Sequence, residues 1–255
     1  SREFATRLQT SLSALSTRSN DNAKNRGVKK APFVVLIGAS MPSVLAEIGF
    51  LTNASDEALL RKTEHRQKIA EALYKGIPQQ GNVLGKATAP ATLVEYIDLQ
   101  CPVCREYATS VMPTLIDRYV RTGKLKVIAR PVTVIGPDSE RGRRAMIAAF
   151  AQNRGFNFSQ LLYFNQGPEN GGWLDDSMVA DAAASIPGVH VKQLQDASGS
   201  KAVADQATQF DHQAQADQLA GTPTILVGKT GGRLTNLGAG VPSIGTLSQL
   251  IKNAQ

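Results

Sequence analysis

Cys101 and Cys104 are the only two cysteines in this chain of 255 residues, and a proline and a valine separate them. Residues 93–99, before the pair, are mostly apolar or β-branched, which is typical of a buried strand, and residues 105–122 have the pattern of a helix. A helix that begins at a cysteine directs unpaired N–H groups at the sulfur and favours its thiolate. The pattern predicts a strand, a reactive dithiol and a helix in that order.

The position of each cysteine predicts its role. Cys101 precedes the first helical turn and is expected to be the attacking sulfur, and Cys104, one turn into the helix, is expected to resolve a mixed disulfide. Pro102 suits the first helical turn, where no N–H is needed. A zinc site would need about four ligands, and no histidine lies at ligand spacing from the pair. A structural disulfide here would close a very short loop and stabilise little.

A second motif, residues 221–227, places Pro223 at the start of an apolar stretch. Proline is out of place in a central strand. A cis peptide between Thr222 and Pro223 would explain it and would turn the backbone toward the dithiol. A trans-proline that starts a strand is the alternative.

These motifs, with Glu95 and a Val-Leu-Gly entry at residues 83–85, resemble the DsbA-like branch of thioredoxin-fold oxidoreductases over about residues 83–251. The resemblance implies an α/β thioredoxin-like fold with a helical insertion, here placed at residues 145–187. It implies thiol–disulfide exchange with protein thiols, a separate redox partner protein, and no cofactor beyond the redox-active disulfide. Substrate contact is expected at Pro102, Val103, Thr222 and Pro223.

Glu95 lies on the predicted strand, six residues before Cys101. The resemblance implies a buried acid there. A desolvated carboxyl has a raised pKa and could relay the proton of the resolving thiol. A surface or edge acid is the alternative.

The first segment, residues 1–77, has a different texture: it carries 12 Lys and Arg against 7 Asp and Glu. The periodicity predicts an amphipathic helix at residues 4–15, a basic run at 24–30, a strand at 33–37 and a helix at about 56–75. Ser55 is the predicted N-cap of that last helix.

Residues 41–53, Met-Pro-Ser-Val-Leu-Ala-Glu-Ile-Gly-Phe-Leu-Thr-Asn, resemble the C-terminal end of a zinc-dependent N-acetylmuramoyl-L-alanine amidase. The resemblance makes Glu47 the catalytic acid/base beside the metal, with the zinc ligands earlier in that fold. The earliest histidine here is His65, which matches no ligand position. Zinc is expected only with the missing part of that fold. Two alternative functions stay open for this segment: a peptidoglycan amidase present only in its C-terminal part, and a non-catalytic envelope-binding segment.

The chain is expected to divide into an amidase-like segment at 1–77, a linker or entry strand at 78–92 and a DsbA-like domain at 93–255. No apolar run reaches the roughly 20 residues of a membrane span, and no signal-peptide pattern opens the chain. The net charge of +7 comes without a nucleic-acid motif, so peptidoglycan or an anionic envelope polymer is the expected charged partner.

Both resemblances imply an extracytoplasmic location. The residues do not select between oxidase, reductase and isomerase. Arg141, Arg143 and Arg144 are interpreted as a solvated helix face.

Overall fold

The structure, a computed structural model, describes residues 5–6, 8–10, 12–13, 25–29, 45–66, 69 and 77–255. The chain separates into two compact units, Ser1–Ile77 and Pro78–Gln255. Each is described by itself.

In the first unit, helix α1 spans Ala54–Arg61. Its N-cap is Asn53 rather than the predicted Ser55: the Asn53 side chain accepts hydrogen bonds from the backbone N–H of Ser55 and of Asp56, at 3.0 and 3.1 Å. Both residues are good caps, and the asparagine begins the helix two residues earlier. The helix also stops at Lys62, whose backbone is extended, and residues 63–66 form a separate helical turn.

The described residues of this unit test only some of the other predictions made for it. The described residues within 5–13 are helical, as expected, and residues 25–29 of the basic run are exposed. The predicted strand at 33–37 lies outside the described residues.

The second unit is built on a six-stranded sheet in the order β1-β2-β4-β3-β5-β6. The strands are β1 (Gln79–Gln80), β2 (Val83–Leu84), β3 (Ala91–Ile97), β4 (Leu125–Pro131), β5 (Thr224–Lys229) and β6 (Leu234–Ala239). β3 pairs parallel to β4 and antiparallel to β5. All seven residues of β3 are buried, because helices cover the central strand on both faces. The predicted linker, residues 78–92, holds β1, β2 and the first residues of β3.

The α-helices of this unit lie between its strands and after the last strand in the sequence. They are α2 (Pro102–Glu106), α3 (Met112–Leu115), α4 (Pro137–Ala151), α5 (Gly155–Phe164), α6 (Asp176–Ala184), α7 (Val191–Ser198), α8 (Lys201–Ala216) and α9 (Ile244–Asn253). Between β4 and β5 the chain forms α4 to α8, the helical insertion. It is longer at both ends than the predicted 145–187, because polar residues on exposed turns of α4 and α8 hide their periodicity.

The helix after the dithiol is less regular than the sequence predicts. Two π-helical stretches, Tyr107–Val111 and Ile116–Val120, interrupt it around α3. Pro113 has no N–H, and its ring would clash with the carbonyl four residues earlier in an α-helix. A wider turn just before a proline relieves that clash, and here the Met112 N–H donates to the Tyr107 carbonyl, five residues back.

Two of the three arginines predicted as a solvated face of α4 clamp it to neighbouring helices, while the side chain of the third, Arg141, is 43% exposed. Arg143 is 4 % exposed, and its guanidinium donates to the Ala207 carbonyl of α8 and pairs with Asp211 at 2.9 Å. Arg144 donates to the Ser198 carbonyl at 2.7 Å. The sequence interpretation was wrong for Arg143, since partners 60 or more residues away along the chain bury it.

Candidate active site

Cys101 is the N-cap residue of α2, where the buried strand β3 gives way to the helix. Its backbone is extended, and its sulfur accepts a hydrogen bond from the Cys104 N–H at 3.4 Å. Pro102 takes the first helical position, as predicted. Both cysteines are free thiols in this structure. The local sequence therefore places the Cys101 sulfur on the N–H groups of the first helical turn.

The second contact of the sulfur comes from the other motif. The Thr222–Pro223 peptide is cis, as expected, and the Cys101 thiol donates to the Thr222 carbonyl at 3.3 Å. The two residues lead into β5, the neighbour of β3 in the sheet. Two motifs 121 residues apart in sequence thus meet at one sulfur.

The two thiols have opposite acidities. Hydrogen bonds from the side chains of Cys104 and Thr222 and from the backbone N–H groups of Cys104 and Val103 outweigh partial burial and lower the pKa of Cys101 to about 6. Complete burial, and the neighbouring Cys101 sulfur, raise the pKa of Cys104 well above its usual range. At neutral pH the first sulfur is a thiolate and the second is a thiol, which is the asymmetry that disulfide exchange requires.

The turn between strand and helix is held by Asp98, which is fully buried. One carboxylate oxygen accepts from the Gln100 N–H at 2.9 Å. The other accepts from the backbone N–H groups of Val134 and Ile135, at 2.7 and 2.9 Å. No role was predicted for Asp98 from the sequence, although an acidic residue at the end of a buried strand is a signal for such a role.

Glu95 lies in β3 between Ala129 of β4 and Ile225 of β5. It is 4 % exposed, so the interpretation as a surface acid does not fit. Desolvation raises the pKa of Glu95 to about 8, partly offset by a hydrogen bond with the Tyr107 side chain. The carboxyl therefore holds a proton at neutral pH.

Tyr107 is a residue that the sequence analysis missed. It is fully buried, and burial together with Glu95 and Cys104 raises the pKa of its phenol. In this structure the hydroxyl donates to the Met112 sulfur at 3.2 Å, and the phenol lies close enough to Glu95 and Cys104 for both to raise its pKa. The signal was available, because Tyr107 follows Cys104 by three residues and so shares its face of the helix.

The expected substrate-contact residues differ in accessibility. Pro102 is exposed and Val103 is 40 % exposed. Thr222 is half-buried and Pro223 is buried beneath it. Pro102, Val103 and Thr222 therefore border the sulfur from the solvent side.

In the first unit, Glu47 is exposed. No group of three or more metal-binding side chains occurs in the described part of the chain. The described residues thus do not fit the zinc site that an amidase implies, and no step through a metal is derived for Glu47.

Each unit of the chain is similar in sequence to a different family of known proteins. The sequence profile described as Thioredoxin matches residues 78–234, and that described as N-acetylmuramoyl-L-alanine amidase matches residues 1–79. The probable disulfide bond formation protein D of Bacillus cereus is 30% identical over 147 residues, 56% of this chain and 68% of that protein. N-acetylmuramoyl-L-alanine amidase LytC of Bacillus subtilis is 40% identical over 76 residues, which are 30% of this chain and 14% of LytC. The first unit thus spans a small part of that amidase.

Solved structures support the fold of the second unit. The crystal structure of oxidised BdbD from Bacillus subtilis superposes with a TM-score of 0.60 at 21% identity, covering 70% of this chain and 96% of that one. The mixed α/β thioredoxin-like fold with a helical insertion, expected from the cysteine and proline motifs, is therefore confirmed. The chain belongs to the thioredoxin family as a DsbA-like thiol–disulfide oxidoreductase, and its redox domain follows a segment related to N-acetylmuramoyl-L-alanine amidases.

Proposed function

We propose that this chain exchanges disulfides with extracytoplasmic protein thiols through the Cys101–Cys104 pair. The observation that carries the proposal is the asymmetry of the two thiols: the pKa of Cys101 is lowered to about 6 and that of Cys104 is raised. A low-pKa sulfur is the better leaving group in exchange. No bound cofactor is needed, because the two cysteines hold and release the electron pair themselves.

In the oxidising direction, a substrate thiolate attacks the Cys101 sulfur of the disulfide. The Cys101–Cys104 bond breaks, a mixed disulfide forms at Cys101, and Cys104 leaves as a thiolate. A second substrate thiolate then attacks the substrate sulfur of the mixed disulfide and expels the Cys101 thiolate. The substrate gains a disulfide, the protein is left reduced, and a redox partner protein must reoxidise it.

Cys104 needs a proton when it leaves, because its pKa is high. Glu95, whose pKa is about 8, holds a proton at neutral pH. The phenol of Tyr107, whose pKa both Glu95 and Cys104 raise, lies near the two groups. We propose that Glu95 supplies this proton by way of Tyr107 and takes it back in the reverse reaction.

The substrate is proposed to be an extended segment of a protein. Val103 and Pro102 offer exposed apolar surface, and Thr222 presents backbone beside the sulfur. An extended chain can pair with such backbone. We propose an envelope location, which the similarity of the first unit to N-acetylmuramoyl-L-alanine amidases supports.

Refolding of a reduced, unfolded protein under air-free conditions tests the proposal. Oxidised wild type is expected to restore the substrate's disulfides stoichiometrically, and Cys101→Ser is expected to restore none. Cys104→Ser, first loaded with glutathione as a mixed disulfide at Cys101, is expected to exchange the glutathione for the substrate. The resulting mixed disulfide between Cys101 and the substrate is visible by non-reducing electrophoresis. Equal behaviour of wild type and Cys101→Ser would refute it.

The amidase-like segment favours a second, non-catalytic function for the first unit: contact with peptidoglycan or an anionic envelope polymer, which would hold the redox domain near its substrates. Arg26 and Lys29 of its basic run are exposed. Sedimentation with insoluble peptidoglycan tests this. Retention of the full chain above that of residues 78–255 is expected, and equal retention would exclude it. Release of soluble peptides by the full chain with added zinc would instead support the amidase alternative.

A further inference from the structure

Side chains of the helical insertion also hold the turn that carries Cys101. The Gln166 side chain, just past the end of α5, donates its amide N–H groups to the Leu99 carbonyl at 2.9 Å and to the Cys101 carbonyl at 3.2 Å. A primary amide has two N–H donors, and both are used here. Because both partners are acceptors, only the nitrogen of the amide can face them.

A second side chain from the same helix end supports this arrangement. The Tyr163 hydroxyl donates to the Asp98 carbonyl at 3.3 Å. Three of the four residues from Asp98 to Cys101 therefore have their carbonyls held by α5 and the residue just beyond its end. None of these contacts is local in sequence, since 65 residues separate Gln166 from Cys101.

The Cys101 carbonyl has a second partner, the Arg105 N–H at 3.1 Å, which is the first backbone bond of α2. Its orientation therefore sets the direction of the first helical turn. The sulfur depends on that direction, because the Cys104 N–H of the same turn donates to it at 3.4 Å. A rotation at Cys101 would weaken this hydrogen bond to the thiolate.

We propose that Gln166 is a positioning residue that fixes the Cys101 backbone so that the sulfur stays on its hydrogen-bond donors, and that it thereby tunes the redox equilibrium of the dithiol. The inference rests on the proposed function. Interactions that stabilise the Cys101 thiolate stabilise the reduced protein and make its disulfide more oxidising. Loss of Gln166 is expected to shift the equilibrium toward the disulfide.

The test compares three full-length proteins. Gln166→Met keeps the length and volume of the side chain but removes both donors. Asn165→Ala is the matched control, because the neighbouring Asn165 side chain donates only within its own helix, to the Leu161 carbonyl at 2.9 Å. Two quantities are measured for each: the pH midpoint of Cys101 alkylation and the equilibrium constant with glutathione.

For Gln166→Met we expect a rise of the midpoint by about 0.5–1 pH unit and a change of about three- to tenfold in the glutathione equilibrium toward the disulfide. Asn165→Ala should match wild type. If Gln166→Met does not fold, Gln166→Asn, which is too short to reach both carbonyls, should shift the same quantities in the same direction. Unchanged values in a folded Gln166 variant, or a loss of thermal stability equal in both redox states, would overturn the inference. A wild type that exchanges no disulfides would instead refute the proposed function.

Discussion

Glu95 is a buried carboxyl in the middle of the central strand, with a pKa of about 8 in place of its usual 4.5. The folded protein thus keeps a proton that the unfolded chain releases between those two values. Stability from this group is fully present below pH 4.5 and is lost as the pH rises through 8. One side chain therefore makes the domain less stable toward alkaline pH.

The substitution Glu95→Gln removes this titration while it keeps the size of the side chain. We expect the oxidised variant to gain stability relative to oxidised wild type as the pH is raised from 5 to 8, with a slope of up to about 1.4 kcal/mol per pH unit. Urea unfolding at several pH values measures the difference. A difference that stays constant over this range would show that Glu95 does not hold its proton in the folded state.

At the scale of elements, the Arg143 side chain clamps α4 to α8 within the insertion. The Arg143 side chain is 5% exposed, and Asp211 beside it is 46% exposed. Removal of the arginine takes the charged donor from the Ala207 carbonyl and the ion-pair partner from Asp211.

We expect Arg143→Ala to cost about 2–3 kcal/mol of unfolding free energy, measured by chemical denaturation. Lys201→Ala in α8 is the control: its side chain is 85% exposed and pairs with Asp205, which is 62% exposed, and the expected cost is below about 1 kcal/mol. Similar costs for the two variants would mean that Arg143 is not a clamp.

The elements around the dithiol could be predicted because their signals are local. An apolar strand, a cysteine at its end and a proline at the first helical position lie within a dozen residues, and each has a conformational preference of its own. The Thr-Pro motif became informative only beside the cysteine pair.

What escaped prediction depends on contacts that are distant in sequence. Burial of Arg143 and the role of Gln166 are set by partners 64 and 65 residues away. The N-cap of α1 depends on local sequence, but both Asn53 and Ser55 suit that position, so the sequence alone does not select between them. The π-helical turns follow from Pro113, which was visible in the sequence but could have ended the helix instead.

At the scale of the whole molecule, the contacts described for the dithiol come from residues of the second unit, between Glu95 and Thr222. Among the described residues, no helix is long and apolar enough to cross a membrane. Because the dithiol contacts come from the second unit, the redox chemistry is expected to need only residues 78–255.

A protein of residues 78–255 is expected to fold and to keep the exchange rate and the glutathione equilibrium of the full chain within about twofold, since its site contacts are unchanged. Circular dichroism and the refolding assay check this. A folded fragment with a shifted equilibrium would assign the first unit a part in the redox chemistry.

The central claim is that Cys101 is an activated thiolate and Cys104 a protected thiol. Alkylation of the reduced wild-type protein with iodoacetamide between pH 4 and 9, with each modified cysteine identified by peptide mass spectrometry, tests it most directly. Cys101 is expected to react with a midpoint near pH 6 while Cys104 stays unmodified in the folded protein. Modification of both cysteines together, with a midpoint near the ordinary thiol value of about 8.5, would contradict it.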